Sequence, residues 1–331
     1  MKIFAFDPSD YRDRYEAEGW LHIKGGVDPE FLAYLQEFVA GRFQEQHVEG
    51  RAIGGAKDQA LFEFPDSVRF PDELFDVVAE TCGLNRPTMT LSERHIKAYD
   101  ADAHPDPPAH KDRLASQVSM GLSIDVPAGS YLVVYPHDHR GLNPFNVSAA
   151  FRSSLDPEER PEVILKDARE VVIHDEPGDV MLFPGNDVWH LRRNPANVVN
   201  LYLKFNDFNS DPLGEDPFTD ARRQKTLEYA ASADSDLDSF VPFLARRMDT
   251  VQRQYTRNGW DEILIADVWG EDPVRLDESD VRLIRSVDGS RDVAALAREL
   301  AGNGSDEGRV RAQVLRLAQR GVLELVRAEE T

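Results

Sequence analysis

The sequence predicts an α+β chain with a mainly β core: a jelly-roll, cupin-like barrel (a double-stranded β-helix) with flanking helices, then a small winged-helix-like domain. Three observations predict it. Short runs with a two-residue period crowd residues 88–208, helical patterns stand before and after them, and residues 261–331 carry three helical patterns followed by a strand. The expected boundaries are 1–215 for the barrel, 216–260 for a helical connector and 261–331 for the last domain.

The chain opens with YRDRYEAEGWLHIKGG, read as a helix closed by Gly19, a strand Trp20–Ile23 and a turn at Gly25 and Gly26. Asp28, Pro29 and Glu30 cap a second helix, with Phe31, Leu32, Leu35 and Phe38 at helical spacing. Residues 50–72 show no clear period and read as a long loop, after which PDELFDVVAETCG restores a helix ending at Gly83. Six β-rich runs follow, divided by Pro, Gly and Asp turns: TLSERHIKAYD, SQVSMGLSID, SYLVVYP, REVVIHD, GDVMLFP and VVNLYLKFN. Residues 217–257 read as helical again, through FTDARRQKTLEYAA and VPFLARRMDTVQRQY. The closing unit reads as helices in ESDVRLIRSVDG, DVAALARELAG and EGRVRAQVLRLAQRG, with GVLELVRA as a strand.

Composition narrows the function. Apolar residues make up 41% and charged residues 30% of 331, enough for a real core. No apolar run approaches the ~18 residues of a membrane span, and MKIFAFDPSDYRDRYEAE turns acidic too soon for a secretory signal. The single cysteine, Cys82, excludes an internal disulfide and any cysteine-based metal cluster, so a cytoplasmic location is the default expectation. A net charge of −22 makes nucleic acid and anionic membrane poor partners. Lysine is scarce, at 8 of the 38 basic residues, so a lysine inside a strand stands out.

The sharpest chemical signal is PPAHKD. On an extended strand residues i and i+2 face the same way, so His110 and Asp112 can reach one ion. A third ligand should come from a distant strand, and DVMLFPGNDVWHLRRN offers His190. Two histidines and a carboxylate on one face of an octahedron leave open positions, the arrangement that suits iron(II) binding an oxoacid and O2 together. A rival set, His137, Asp138 and His139, sits in a loop beside Arg140 and looks like an exposed turn.

These residues carry a family resemblance. Over roughly residues 8–208 the chain resembles the 2-oxoglutarate-dependent oxygenases, most closely the phytanoyl-CoA hydroxylase-like branch. The shared features are the opening YRDRYEAEGWLHIKGGVDPEFLAYLQEFV, the strand HIKAYD ahead of PPAHKD, and GDVMLFPGNDVWH before a final strand. The resemblance implies that His110, Asp112 and His190 hold Fe(II), that 2-oxoglutarate and O2 are co-substrates, and that an unactivated C–H is hydroxylated with release of succinate and CO2. It implies no catalytic residue beyond the metal centre. Halogenating relatives replace the carboxylate ligand with a small residue; this chain keeps Asp112.

The family anchors the distal carboxylate of 2-oxoglutarate with a basic residue on the strand after the last histidine. In NPANVVNLYLKFN, Val199, Leu201, Leu203 and Phe205 share one face and Asn200, Tyr202, Lys204 and Asn206 the other, so Lys204, fourteen residues past His190, is the first choice. Many relatives instead carry arginine ten or eleven residues past the histidine, where this chain has Asn200 and Leu201. Arg192, Arg193 and Lys97 therefore stay open as anchors. Tyr99, which shares a strand face with Lys97, is expected to hydrogen-bond the oxoacid, and Gln117 and Ser119 are weaker candidates.

The last domain invites a nucleic-acid reading, since Arg309, Arg316 and Arg320 share one helical face. Residues 261–331 nevertheless carry 16 acidic against 10 basic residues, which argues against a phosphate partner. This stretch resembles PqqD-like peptide-recognition domains and the winged helices appended to ribosomal-protein hydroxylases, and either would make the substrate a peptide or protein side chain rather than a small molecule. A plainer expectation is a packing or dimerisation module in a homodimer. Two rivals from other classes stand beside the hydroxylase: a cupin-type metal enzyme that does not use 2-oxoglutarate, and a non-catalytic binding protein.

Overall fold

The computed structural model describes residues 1–41, 48–52, 55–232, 237–255, 262–301 and 306–327. The chain divides into two compact units, Met1–Arg86 with Leu91–Asn206, and Pro87–Thr90 with Asp207–Thr331.

The first unit begins with helix α1 (Arg12–Glu18), strand β1 (Leu21–Ile23) and helix α2 (Pro29–Ala40). Gly19 closes α1 at φ 72°, a left-handed conformation that a side chain would strain. Asp28 caps α2 by accepting the Glu30 N–H at 2.9 Å, with Pro29 in the first turn. Residues expected as a loop form instead a hairpin of β2 (Val48–Ala52) and β3 (Gly55–Leu61). The reason lies in which residues face where. Lys57 and Gln59 turn into a polar cavity while Ala60 and Phe62 enter the core, so the usual alternation of apolar and polar residues is blurred. Helix α3 (Phe70–Cys82) then leads to β4 (Thr90–Tyr99), β5 (Val118–Asp125), β6 (Tyr131–Tyr135), the short helices α4 (Ser148–Ser154) and α5 (Pro161–Ile164), β7 (Val171–Ile173), β8 (Val180–Phe183), β9 (Trp189–Arg193) and β10 (Val199–Asn206). All six expected β runs are strands; β9 is an addition, and it carries His190.

Two antiparallel sheets result. One has the order β1-β8-β5-β10-β4-β3-β2 and the other β7-β6-β9, with the segment at His110 bridged to β9 through His190. This arrangement is consistent with the expected jelly-roll core. Between the sheets, Leu132, Val134 and Ile173 pack against Met181, Phe183 and Val188. The other face of β10 buries Leu201, Leu203 and Phe205 completely, Phe205 meeting Phe75 of α3. Phe31 of α2 and Phe62 are also fully buried and pack edge to face, each burial stabilising by about 1.5–3 kcal/mol.

In the second unit, α6 (Thr219–Ser232) is the expected helix, but the following residues are strands, β11 (Phe240–Leu244) and β12 (Met248–Tyr255), where a helix was expected. Pro242 would break a helix interior, and Val241 and Phe243 cluster with Val326 while Phe240 joins a different cluster, a two-residue alternation. β12 pairs with β13 (Glu262–Val268) and β13 with β14 (Val274–Leu276). Helices α7 (Glu278–Ser286), α8 (Val293–Ala301) and α9 (Glu307–Gln319) and strand β15 (Leu323–Arg327) follow as expected. β15 pairs with β11, and Leu283, Val293, Val310, Val314 and Leu317 form this unit's own core. No helix among the described residues is long and apolar enough to cross a membrane.

Candidate metal centre

The two candidate histidine ligands hold one another. His110 donates its N–H to the His190 carbonyl at 2.9 Å and accepts the His190 N–H at 3.0 Å, an isolated antiparallel bridge that sets their rings 4.4 Å apart. Alternation along the strand then decides the rest. Asp112 turns inward with His110, while Lys111 turns away to donate to the carbonyls of His139 (3.0 Å) and Gly141 (2.6 Å). The ligand atoms of His110, Asp112 and His190 all lie within 4.8 Å of one another, and His190 Nε2 is 3.7 Å from Asp112 Oδ2. Atoms sharing one octahedral ion at ~2.1 Å stand roughly 3 Å apart, so small side-chain shifts would complete ligation.

The backbone around Asp112 is clamped by the loop before β9 and the loop after β6. Asp112 donates its N–H to the Gly185 carbonyl at 2.8 Å, Asn186 donates to the Leu114 carbonyl at 2.6 Å, and Asn143 donates to the Asp112 carbonyl at 2.8 Å. Gly185 has no room for a side chain: a Cβ there would stand 2.5 Å from Asp112 Oδ2 and collide with Ser119 Oγ. Glycine is what lets this backbone approach the carboxylate.

Protonation states suit a cation. Burial, and then the neighbouring imidazole of His190, hold His110 well below the usual histidine range. Burial also lowers His190, outweighing the attraction of Asp112. Both rings are therefore neutral near pH 7, the form that ligates. The His190 Nδ1 contact to the Val188 carbonyl, 3.0 Å, selects the tautomer that leaves Nε2 free toward Asp112. His110 Nδ1 is buried with no hydrogen-bond partner among the described residues. Burial alone would raise Asp112, but Lys204 and the two histidines hold it well below the usual carboxylate range. Two neutral imidazoles, an anionic carboxylate and an orphaned ring nitrogen together fit a divalent metal. Among the described residues this is the one such cluster of three. The rival set is apart from it: Asp138 accepts the Arg169 N–H, and His139 sits at φ 50°.

The ligands open on a cavity of about 410 Å³ lined by alternate residues of the larger sheet, Ser119 and Gly121 on β5, Tyr202 and Lys204 on β10, Lys97 and Tyr99 on β4, and Lys57 and Gln59 on β3. Lys204 is buried there, with its ammonium on Asp112 Oδ2 and 2.9 Å from Ser119 Oγ, which itself donates to Asp112 at 2.7 Å. Lys97 lines the wall and pairs with Glu93 at 2.5 Å. Burial works against the charge on Glu93, yet Lys97, Arg113 and Lys204 hold its pKa far below the usual range. Arg192 lines the cavity too, its guanidinium held fork-to-fork by buried Asp175 at 2.9 and 2.8 Å. Arg193 and Gln117 lie outside the lining. The next residue along β9 faces away, so Arg193 reaches Glu170 (3.2 Å) and Asp106 (3.3 Å), and Gln117 precedes β5. Sequence reasoning missed Lys57, Glu93, Arg113 and Asp175. The strand face shared by Glu93, Lys97 and Tyr99 would have given Glu93; Lys57 was hidden by reading its strand as a loop.

No family model matches the chain, and no curated protein does. Several solved structures are similar to it. The non-haem alpha-ketoglutarate-dependent epimerase SnoN from nogalamycin biosynthesis aligns at TM-score 0.45 and 16% identity, over 61% of this chain and 84% of its own. A Pseudomonas putida prolyl-4-hydroxylase aligns at 0.41 and 15%, over 60% and 97%. EctD from S. alaskensis with 2-oxoglutarate and 5-hydroxyectoine aligns at 0.42 and 13%, over 62% and 78%.

Proposed function

We propose that the chain is an Fe(II)- and 2-oxoglutarate-dependent oxygenase of the phytanoyl-CoA hydroxylase-like kind, hydroxylating an unactivated C–H of a small molecule, amino-acid derivative or peptide. The convergence of His110, Asp112 and His190 in the lining of one cationic cavity carries the reading. When bound, the iron and oxoacid supply the oxidising power, consuming O2 and releasing succinate and CO2. The protein's own share is positional. The histidine bridge and the Gly185 backbone fix the ligand face, and Ser119 and Lys204 orient the Asp112 carboxylate. The basic wall offers counter-charge to a dianion: Lys204 stands against Asp112, Arg192 lines the same cavity, Tyr99 can donate a hydroxyl, and Lys97 stands one strand further out than Lys204. Phe183, with its ring 4.7 Å from that of His190, keeps water from one side of the ligands. In this reading residues 261–331 form a winged-helix-like or PqqD-like module, and three helices followed by a strand support that shape.

Anaerobic addition of Fe(II) and 2-oxoglutarate should produce a visible charge-transfer band, and admitting O2 should release succinate. His110→Ala and Asp112→Ala should lose both while keeping the native circular dichroism. A folded wild-type protein that binds Fe(II) yet shows neither band nor succinate would refute the assignment and favour a cupin-type enzyme working without the oxoacid.

A further inference from the structure

Five cationic side chains line the cavity, Lys57, Lys97, Arg113, Arg192 and Lys204, against two carboxylates, Glu93 and Asp112. Four of the five have a carboxylate partner. Glu93 takes Lys97 at 2.5 Å and Arg113 at 3.1 Å, Asp175 takes Arg192 at 2.8 Å, and Asp112 takes Lys204. Lys57 has no such partner among the described residues; its ammonium stands 5.2 Å over the Tyr99 ring. Burial, and then the like charge of Lys97, push its pKa down to about 8. An enclosed cation beside another cation raises the free energy of the empty site, and an arriving anion relieves it.

Strand order sets the Lys57 backbone apart from the residues that touch Asp112. Lys204 and Ser119, which touch Asp112, lie on β10 and β5, whereas Lys57 lies on β3, with β4 between it and β10. Two strand spacings place the β3 backbone roughly 10 Å from that of β10. A five-carbon diacid chelated through its first two carbons has three more with which to find a counter-charge, and Lys204 stands on Asp112 itself, with the Lys97 strand between those of Lys204 and Lys57. We propose, resting on the function above, that the second reactant is itself a small carboxylic acid. Lys57 holds its carboxylate at the β3 end of the cavity, Gln59 lies beside it, and the reacting carbon is directed toward the triad.

Calorimetry on the full-length Zn(II)-loaded protein, with and without saturating 2-oxoglutarate, tests this with benzoate, phenylacetate, 3-phenylpropionate and their amides as probes. At least one acid should bind both forms tenfold or more tightly than its amide. Lys57→Met should abolish that preference while leaving 2-oxoglutarate affinity within about twofold, and Lys57→Arg should keep the preference, separating lost charge from lost structure. Acids that bind no better than their amides overturn the proposal, as do acids that compete with 2-oxoglutarate. A Lys57→Met variant weakened mainly toward 2-oxoglutarate also overturns it, giving Lys57 to the oxoacid instead. Acid binding at Lys57 in a protein indifferent to 2-oxoglutarate would leave this inference standing and remove the hydroxylase reading.

Discussion

In the proposed function Asp112 does two things, ligating a cation and accepting bonds from Ser119 and Lys204, and the space for both comes from a residue without a side chain. A methyl group at Gly185 would meet Ser119 Oγ and crowd Asp112 Oδ2. The least costly response is rotation of the carboxylate away from the histidines. Gly185→Ala is therefore expected to weaken Zn(II) or Fe(II) binding by about 10–100-fold, the range for lost support of a metal ligand, while the circular dichroism stays native. Titration calorimetry reads this directly, and unchanged affinity would show that the loop yields instead. At this scale the sequence was readable where chemistry demands particular residue types. His110 and Asp112 stood out through strand alternation and residue type, His190 as a distant third donor, and the family resemblance favoured the set, whereas Gly185 looked like an ordinary Pro-Gly turn because its meaning depends on Ser119, a residue distant in the chain.

Across elements, Arg192 and Asp175 join β9 to the segment following β7. Both side chains are almost wholly buried, and Ser123 of β5 donates to the same carboxylate at 2.6 Å. Burial would raise the Asp175 pKa, but Arg192 outweighs it and the net shift is downward. Such a group stabilises the fold fully above its unfolded pKa of about 3.9, and the contribution is lost as pH falls through the lower folded value. Asp175→Ala leaves a buried guanidinium uncompensated and should cost about 3–5 kcal/mol near pH 7, shrinking as pH falls through the lowered folded value, whereas the paired Asp175→Ala, Arg192→Met variant should recover most of the loss. Denaturant unfolding of the two variants and the wild type at several pH values measures this cycle; additive losses would deny the coupling. The pair also shows where pattern reading stopped. Arg192 was legible as a basic residue near the last histidine, but its partner Asp175, 17 residues earlier, becomes visible only when β6 seats β7 and β9 on its two sides. The hairpin of β2 and β3 was lost for a related reason, because strands lining a charged cavity do not alternate as strands lining a core do. In the second unit, Pro242 was the one local sign that the helical reading of 240–255 was wrong.

For the whole molecule, the acidic surface and the basic cavity make opposite demands. The net charge of −22 repels an approaching dianion at distances beyond the protein surface, while Lys97, Arg192 and Lys204 attract it only once it has entered. Salt separates the two fields, since exposed charges are screened over ~10 Å at 0.1 M whereas enclosed pairs are screened much less. Under the proposed function, the association rate of 2-oxoglutarate should therefore rise with ionic strength, by several-fold between ~0.01 and ~0.15 M salt, the reverse of what positive steering gives. The dissociation rate, set by contacts inside the cavity, should change less over the same range. Stopped-flow recording of the charge-transfer band on anaerobic mixing gives both rates. An association rate that falls with salt would mean that the field of the basic cavity reaches past its opening and governs capture, and that the surface charge serves solubility alone.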